Sequence, residues 1–237
     1  MTAEQPAVTQ HFYFEVAPNV WGLKDKFVNI YIVQDTASGK WVLVDTGIKS
    51  TGKKIKKMAA ELFDENNQKP KAIILTHGHF DHVSSVQQLA EEWHVPVYAH
   101  YLEMPYLTGK SHYPPFDTTV GGGLMTEISF LYPNSPINIS SFITGLPDNN
   151  TVPNLPGWKW IHTPGHAPGH ISLFREEDKL LIAGDAFVTT KSESAFSTAM
   201  QTEVVSRPPA YATTDWVAAY NSVKTLLLLQ PEIAATG

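Results

Sequence analysis

Residues 71–82 read K-A-I-I-L-T-H-G-H-F-D-H and concentrate the side chains that bind transition metals. Three histidines and one aspartate stand within six residues, namely His77, His79, Asp81 and His82. Imidazole nitrogen and carboxylate oxygen are ligands that zinc, iron and manganese accept. Because His77 and His79 are two residues apart, their side chains leave an extended chain on the same side. Asp81 and His82 are neighbours and can diverge toward a second metal.

The flanking sequence predicts elements that hold these side chains in place. The apolar run 72–75 is short enough for a buried strand. Apolar residues then recur at helical spacing, which predicts a helix from about Asp81: Val83, Val86, Leu89, Ala90 and Trp93. A strand that ends in a ligand-rich loop before a helix is a rigid support for a metal site. The alternative is a polar loop whose histidines only form hydrogen bonds, but four ligands this close together favour metal binding.

Three further short motifs contain candidate ligands. They are D-T-G at 45–47, T-P-G-H at 163–166 and G-D at 184–185. Together with H-G-H-F-D-H, and in this order along the chain, they resemble the signature of the metallo-β-lactamase fold superfamily. The resemblance extends over residues 12–237, almost the whole chain.

The resemblance assigns roles to individual residues. It implies a first metal held by His77, His79 and His166, and a second metal held by Asp81, His82 and Asp185, with Asp185 shared by both. Zinc is the expected metal, with manganese and iron as alternatives. Asp45 is expected beneath the site, orienting a ligand, because metal-bound histidines usually donate their other N–H to an oxygen. His170, His162 and His100 match no ligand position, and we expect them to pack or to form supporting hydrogen bonds.

The same resemblance implies an α/β fold, a four-layer αβ/βα sandwich of two mixed β-sheets with helices on both outer faces. We expect one domain over residues 1–237, with halves of about 12–131 and 137–237 whose strand-end loops meet at the metals. In the family, a strand like I-A-A-T-G commonly runs into a histidine that completes the second metal site. Here that position would follow Gly237, the last residue, so we expect the chain to be cut there.

Composition narrows the function further. Hydrophobic residues make up 43% and charged residues 17%, which predicts a substantial core. The formal net charge of −6 argues against nucleic-acid binding, which normally needs a basic face. There is no cysteine, so His and carboxylates must hold the metal. No secretory signal or membrane-spanning run is evident in the sequence. We therefore expect a cytoplasmic protein with a small-molecule substrate and no membrane partner, and with homodimerisation left open.

Residues 101–135 are expected to form an inserted loop over the active site. Long loops in compact domains often serve as lids or binding loops. Tyr101, Tyr106 and Tyr113 are the candidate substrate contacts, although a structural flap or a dimer contact would also explain the segment. Loop 188–209 is the expected opposite wall. The last helix, about 214–229, has Trp216, Tyr220, Val223 and Leu227 on one apolar stripe.

These assignments predict a metal-dependent hydrolase. A metal-bridging hydroxide would attack the carbonyl of an ester, thioester, lactone or amide, and Asp81 would orient that nucleophile or accept its proton. The resemblance leaves three alternatives open. One is a mononuclear iron oxygenase of the persulfide dioxygenase type, another is a phosphodiesterase, and the third is a metal-structured binding module without turnover.

Overall fold

The computed structural model describes residues 12–190, 192, 194 and 204–237. Residues 1–10, for which the sequence also predicts a loose tail, and much of the loop expected at 188–209 lie outside these described residues. The described chain forms two mixed sheets that pack face to face, with helices on both outer sides. This is the four-layer arrangement that the sequence predicts.

The first sheet has seven strands in chain order. They are β1 (Phe14–Ala17), β2 (Val20–Asp25), β3 (Val28–Gln34), β4 (Trp41–Val44), β5 (Ile73–Ile74), β6 (Val97–Ala99) and β7 (Ile143–Gly145). The strands β1 to β4 pair antiparallel, and the strands β4 to β7 pair parallel. Asp45 follows β4, and the histidine-rich segment follows the neighbouring parallel strand β5, so both lie at the same edge of the sheet.

The second sheet has five strands, in the order β12, β11, β10, β9 and β8. Their bounds are Thr151–Val152 for β8, Leu155–His162 for β9, Ile171–Arg175 for β10, Leu180–Gly184 for β11 and Ile233–Thr236 for β12. Strand β12 is parallel to β11, and the other pairs are antiparallel. His166 lies in the connection from β9 to β10, and Asp185 directly follows β11.

Six α-helices lie in the described chain. They are α1 (Thr51–Leu62), α2 (Phe80–Val83), α3 (Val86–Trp93), α4 (Met104–Leu107), α5 (Leu124–Glu127) and α6 (Trp216–Leu228). Short 3₁₀ turns occur at Glu65–Asn67, Tyr101–Glu103, Ser129–Leu131 and Ala210–Ala212. No helix among the described residues is long and apolar enough to cross a membrane.

Strand alternation explains the layers. On β3, Ile30 and Ile32 face α1 and α3, whereas Tyr31 and Val33 face the second sheet. Because successive side chains point to opposite faces, a strand that is apolar at every position must be covered on both sides. A third apolar cluster lies between the second sheet and α6, where Leu226 packs against Leu181 and Phe174.

The helix predicted after the histidine segment is broken into α2 and α3. At the break, the Ser84 N–H donates to Gly47 O at 3.0 Å as well as to Phe80 O at 3.1 Å. The Ser85 hydroxyl donates to Ile48 O at 2.7 Å and accepts from the Gly52 N–H at 3.3 Å. Such local serine bonds compete with helix continuation. They also tie the histidine segment to the loop that follows Asp45.

The predicted boundary between the halves is wrong. Residues up to Gly145 belong to the first sheet, because β7 pairs in parallel with β6, and the second sheet begins at Thr151. Ile137, Phe142 and Ile143 pack against the first core, which holds this part of the chain to the first sheet.

The apolar stripe predicted on the last helix does not face the core. Trp216, Tyr220 and Leu227 are 41%, 64% and 71% exposed, whereas Ala219, Ser222 and Leu226 are buried. The cause is the turn before His166. A Cβ on Gly165 would lie 2.3 Å from Ala219 N, so only small residues allow the helix to pack there. The Ser222 hydroxyl also donates to Pro164 O at 2.7 Å.

Candidate metal centre

The histidine segment turns sharply after β5 and buries its imidazoles. His79 precedes α2 in an extended conformation, and the His82 N–H donates to His79 O at 3.0 Å. His77, His79 and His82 are each at most 5% exposed, and the Asp81 side chain is 20% exposed. The strand therefore fixes His77, while the first turn of α2 brings Asp81 and His82 to the same pocket.

Two connections of the second sheet bring the remaining predicted ligands to this pocket. His79 Nδ1 lies 2.9 Å from His166 Nε2. The two oxygens of Asp185 lie between two histidines, with Oδ2 3.4 Å from His166 Nε2 and Oδ1 3.6 Å from His82 Nε2. Asp81 Oδ2 is 4.0 Å from His82 Nε2. All six predicted ligands thus meet at one place.

These side chains form two sets with metal-like spacing. His77, His79 and His166 form one set, and His77, His82 and Asp185 form the other. Within each set, the candidate ligand atoms lie within 4.8 Å of one another. Asp81 belongs to neither set but lies beside His82. Four imidazoles and two carboxylates in all give only nitrogen and oxygen donors, a combination that suits zinc, iron or manganese.

The hydrogen bonds behind the histidines decide which nitrogen faces the pocket. The Thr76 hydroxyl donates its one proton to Asp45 Oδ2 at 2.7 Å. It must therefore accept from His77 Nδ1, which is 3.1 Å away. The unprotonated Nε2 of His77 then faces the pocket, buried and without a hydrogen-bond partner among the described residues. A buried lone pair of this kind is what a metal ligand requires, so the residues fit a cation.

His166 is oriented in the same way. The Thr213 hydroxyl donates to Pro209 O at 2.8 Å and so accepts from His166 Nδ1 at 3.4 Å. Nε2 of His166 therefore carries the lone pair that points at His79. Two imidazole nitrogens facing each other at 2.9 Å either share a proton or bind a common cation.

Asp45 lies beneath the pocket, as predicted. Its Oδ2 accepts from His82 Nδ1 at 2.8 Å, and its Oδ1 accepts from the Thr76 N–H at 2.8 Å. The backbone φ of Asp45 is +61°, a left-handed conformation that Asp and Asn tolerate better than most residues. Asp45 thus links two histidines of the segment and turns Nε2 of His82 toward the pocket.

His170 supports Asp185 rather than facing the pocket. Its Nε2 accepts from the Asp185 N–H at 2.9 Å. Nδ1 of His170 is then protonated and donates to Thr163 O at 3.1 Å, with the Thr163 hydroxyl 2.8 Å away. Because both ring nitrogens are used, His170 fixes the backbone at Asp185.

The charges in the pocket favour a cation. Burial lowers the pKa of His77 and His79, and it lowers the pKa of His166 to about 4, so these imidazoles are neutral at pH 7. Burial opposes charge on His82 as well, yet Asp185, Asp45 and Asp81 together raise its pKa well above the usual value. Burial, with Asp185 adding to it, raises the pKa of Asp81 to about 6. Positive charge is therefore stabilised where the carboxylates meet.

The three predicted tyrosine contacts lie elsewhere. Tyr101 is 67% exposed and packs on His100, with ring centroids 4.5 Å apart. Tyr106 stacks on Tyr113 at 3.8 Å, and Tyr113 is buried behind His79. None of the three lines the cleft that the described residues form around Asp81 and Asp185. These three tyrosines are therefore not at the cleft: Tyr106 and Tyr113 fold behind the histidine loop, and Tyr101 lies on the surface against His100.

Other aromatic residues form the cleft wall; Phe116 and Tyr132 belong to the insertion expected over the active site at 101–135, whereas Phe27, Phe80 and Tyr211 were not predicted as wall residues. Five rings, which we call the aromatic wall, line the cavity beside the ligands: Phe27, Phe80, Phe116, Tyr132 and Tyr211. A buried glutamate, Glu103, was missed as well. Glu103 is a lone acidic residue without a motif, and Phe27, Phe80 and Tyr211 stand in separate segments, so none of these four residues gave a local signal.

Gly237 lies against the ligands. Its N–H donates to Gly184 O at 2.9 Å, and a Cβ at this position would lie 2.2 Å from Asp185 Oδ1. The preceding residue is held from the first sheet, because Thr236 O accepts from Tyr31 Oη at 2.5 Å and from Asn29 Nδ2 at 3.0 Å.

Comparisons with known proteins agree with this geometry. Residues 23–237 match the family described as the Metallo-beta-lactamase superfamily. A Bacillus subtilis (strain 168) protein, "Probable metallo-hydrolase YflN", is 44% identical over 225 residues, covering 94% of this chain and 85% of that protein.

Two solved structures are also similar. The structure of TTHA1623 in a di-iron-bound form is 28% identical, with a TM-score of 0.59 over 91% of this chain and 89% of that chain. BLEG-1 B3 metallo-beta-lactamase has a TM-score of 0.63, and the match covers 92% of this chain and 90% of that chain. Because it is only 22% identical, this likeness concerns the fold alone.

Proposed function

Because this chain belongs to the metallo-β-lactamase superfamily and is in general terms a metal-dependent hydrolase, we propose that it uses two divalent cations. The proposed substrate is a small carbonyl compound, namely an ester, thioester, lactone or amide. Zinc is the proposed metal. The observation that supports this most is the convergence of six donor side chains, with the lone pairs of His77 and His166 turned inward.

The proposed ligand assignment keeps the first set of side chains; for the second metal it places Asp81 beside His82 and Asp185 and keeps His77 for the first metal. His77, His79 and His166 would hold the first metal. Asp81, His82 and Asp185 would hold the second, and the two oxygens of Asp185 lie between His166 and His82 as a shared ligand requires. When bound, such cations polarise a carbonyl and lower the pKa of water to near neutrality.

The chain's own groups complete the proposed chemistry. Asp81 is the most exposed of the six candidate ligands and lines the cavity, so it is placed to orient a nucleophilic water or accept its proton. Asp45 holds His82, and His170 holds the backbone of Asp185. No serine nucleophile motif of the G-x-S-x-G type is present, and there is no cysteine.

Iron is the metal alternative. The TTHA1623 structure is of a di-iron-bound form, and nitrogen and oxygen donors also suit iron. A centre loaded with a single iron per chain would favour the second candidate function, a mononuclear iron oxygenase acting on persulfides. That reaction consumes molecular oxygen, whereas hydrolysis does not, so oxygen uptake separates the two.

The test compares metal-stripped protein with protein reloaded with zinc, manganese or iron. Each sample is assayed against p-nitrophenyl acetate, a thioester, a homoserine lactone, an anilide and bis-p-nitrophenyl phosphate. We expect turnover of at least one carbonyl substrate in a reloaded sample and none in the stripped one. Equal turnover in both samples contradicts the proposal. Cleavage of the phosphodiester alone, or oxygen uptake with a persulfide, supports the corresponding alternative instead.

A further inference from the structure

The aromatic wall forms a continuous surface beside the candidate metal centre. Neighbouring rings contact one another, with centroids 6.4 Å apart for Phe27 and Phe80, 5.7 Å for Phe80 and Tyr132, and 5.8 Å for Tyr132 and Tyr211. Phe116 contacts Tyr132, Tyr211 and His79, each at 6.0 Å. The wall therefore reaches the edge of a proposed ligand.

These rings are only partly buried, although they pack together. All five are half-buried or more exposed, and Phe27 is 37% exposed. They share one cavity with Asp81, His166 and Asp185. Clustered aromatic surface that stays open to solvent beside polar groups is typical of a binding site.

The other end of the cleft is polar. Asn29, Thr189 and Thr190 line it together with Asp185. The side-chain oxygen of Asn29 is buried and has no hydrogen-bond partner among the described residues. A ligand that spans the cleft would thus meet rings on one side and hydrogen-bonding groups on the other.

We propose that the aromatic wall binds an apolar acyl or aryl group attached to the reacting carbonyl. The substrates would be apolar-chain esters, thioesters, lactones or amides rather than small polar ones. This inference rests on the proposed function, because it places the reacting carbonyl at the metal centre. Each methylene fully buried on the wall should tighten binding about fourfold.

Alkyl hydroxamates of increasing chain length provide a test that does not need turnover. Their affinity for zinc-loaded protein is measured by calorimetry, from acetohydroxamate to octanohydroxamate. We expect the affinity to rise along the series, and Phe116→Ala to remove most of that rise. The control is Phe130→Ala, because Phe130 is 69% exposed and does not line the cleft.

Equal affinities along the series, or no binding at all, would overturn the inference. The proposed function fails separately, if zinc-loaded protein hydrolyses no carbonyl substrate while the hydroxamate series is still graded by chain length. If affinity still rises with chain length in Phe116→Ala, the assignment of the apolar group to the aromatic wall is overturned as well.

A second inference concerns Glu103, which lies behind the candidate metal centre. Its side chain is fully buried at the end of a 3₁₀ turn. Oε2 accepts from the Gly78 N–H at 2.8 Å, and Oε1 accepts from the Gly169 N–H at 2.7 Å. The Tyr113 hydroxyl donates to Oε2 as well.

These bonds join the two loops that carry the first set of ligands. Gly78 lies between His77 and His79, and Gly169 belongs to the connection that carries His166. Glu103 and Tyr113 lie so close to the backbone at these two positions that any residue larger than glycine would clash. A Cβ on Gly169 would lie 2.8 Å from Glu103 Cγ, and a Cβ on Gly78 would lie 2.7 Å from the Tyr113 hydroxyl.

The geometry points to Glu103 as a positioning residue, which fixes the distance between the His77–His79 loop and the His166 loop. Its carboxylate is the bridge, and Tyr113 holds that carboxylate in place. This inference also rests on the proposed function, because the distance matters only if both loops bind one metal. Supporting groups behind metal ligands typically change metal affinity by about 10- to 100-fold.

The test uses Glu103→Gln and Tyr113→Phe, with the exposed Glu91→Gln as control. We expect zinc affinity, from chelator competition, to fall about 10- to 100-fold in Glu103→Gln and less in Tyr113→Phe. The visible spectrum of the cobalt-loaded protein should also shift, which a loss of stability alone would not cause. Amide exchange at Gly78 and Gly169 should accelerate in the metal-stripped variants.

Unchanged zinc affinity and cobalt spectrum in both variants would overturn the positioning role while leaving the proposed function intact. If the Gly78 and Gly169 amides remain protected from exchange in the metal-stripped variants, the Glu103 carboxylate does not bridge the two loops. If the wild-type protein binds no zinc, the proposed function fails, and amide exchange alone then decides on the bridge.

Discussion

The molecule contains two groups of closely packed histidines, and their surroundings differ. In the candidate metal centre, His77 lies 4.2 Å from His82 and 4.9 Å from His166 between ring centroids, with Asp81 and Asp185 beside them. His100 and His162 are just as close, stacked at 4.2 Å with an interplanar angle of 11°. Proximity alone therefore does not distinguish the two groups.

The direction in which the ring nitrogens point distinguishes the two groups of histidines. His162 Nε2 donates to Pro168 O at 2.9 Å, and His100 Nδ1 lies 3.4 Å from the Leu102 N–H. The stacked pair thus directs ring nitrogens to its own backbone, and no carboxylate among the described residues bridges its rings. In the metal centre, lone pairs and carboxylate oxygens face one another. Convergent unsatisfied donors, rather than proximity of rings, therefore distinguish the candidate metal centre from the stacked pair.

The largest effect is expected from His77→Ala. This change removes the one nitrogen common to both ligand sets. We expect the variant to lose about one metal ion per chain or more, and its turnover to fall to the level of metal-stripped wild-type protein. Metal content is measured by mass spectrometry alongside turnover. His162→Ala, from the stacked pair, is the matched control and should retain both.

Metal loss in His162→Ala and none in His77→Ala would contradict the distinction between the two groups of histidines. It would mean that stacking rather than convergence of donors governs metal binding in this chain.

A smaller effect is expected from Asp45→Asn. The left-handed backbone at this position suits Asn, so the main change is loss of charge and of one acceptor for Thr76 and His82. Metal affinity should weaken about 10- to 100-fold, as for other groups behind metal ligands. Chelator competition measures this, with the exposed Asp148→Asn as control. Affinity within twofold of the control would mean that Asp45 does not orient His82.

The smallest effect is a pH dependence of the stacked pair. Burial, with His162 adding to it, lowers the pKa of His100 to about 4, below the usual value in an unfolded chain. As the pH falls below about 6.5, the unfolded state binds the proton first, so the folded state loses stability down to about pH 4. The variant His100→Phe has no imidazole at this position, so it should not show this loss of stability.

Urea unfolding at pH 7 and pH 5, with chelator present throughout, measures the difference. Relative to His100→Phe, the wild-type protein should lose on the order of 1 kcal/mol between these pH values. An identical pH dependence in the two proteins would show that His100 does not titrate differently on folding.

The six candidate ligands could be named from the sequence because four of them lie within one short segment and the others stand in motifs that resemble the family signature. Asp45 was expected as a support because it stands in the D-T-G motif, and His170 because it matches no ligand position. The insertion 101–135 was expected to wall the site, but Glu103 and the wall residues Phe27, Phe80 and Tyr211 could not be predicted, because their positions depend on loops brought together by the two sheets. Strand β7 was missed because its neighbour β6 lies more than forty residues earlier in the chain.

The apolar stripe of α6 shows a different limit. Helical periodicity identified Trp216, Tyr220 and Leu227 as one face, but it cannot say which face packs inward. The close approach of Gly165 to Ala219 selects the small-residue face, and that contact forms only in the folded chain.

The most direct test of the central claim is a zinc titration of metal-stripped protein, followed by calorimetry and mass spectrometry. We expect saturation at about two zinc ions per chain, and His77→Ala should weaken the binding of at least the first ion. Saturation at a single iron in place of zinc would favour the oxygenase. No stoichiometric binding of any of these metals would contradict the claim that the converging side chains form a metal centre.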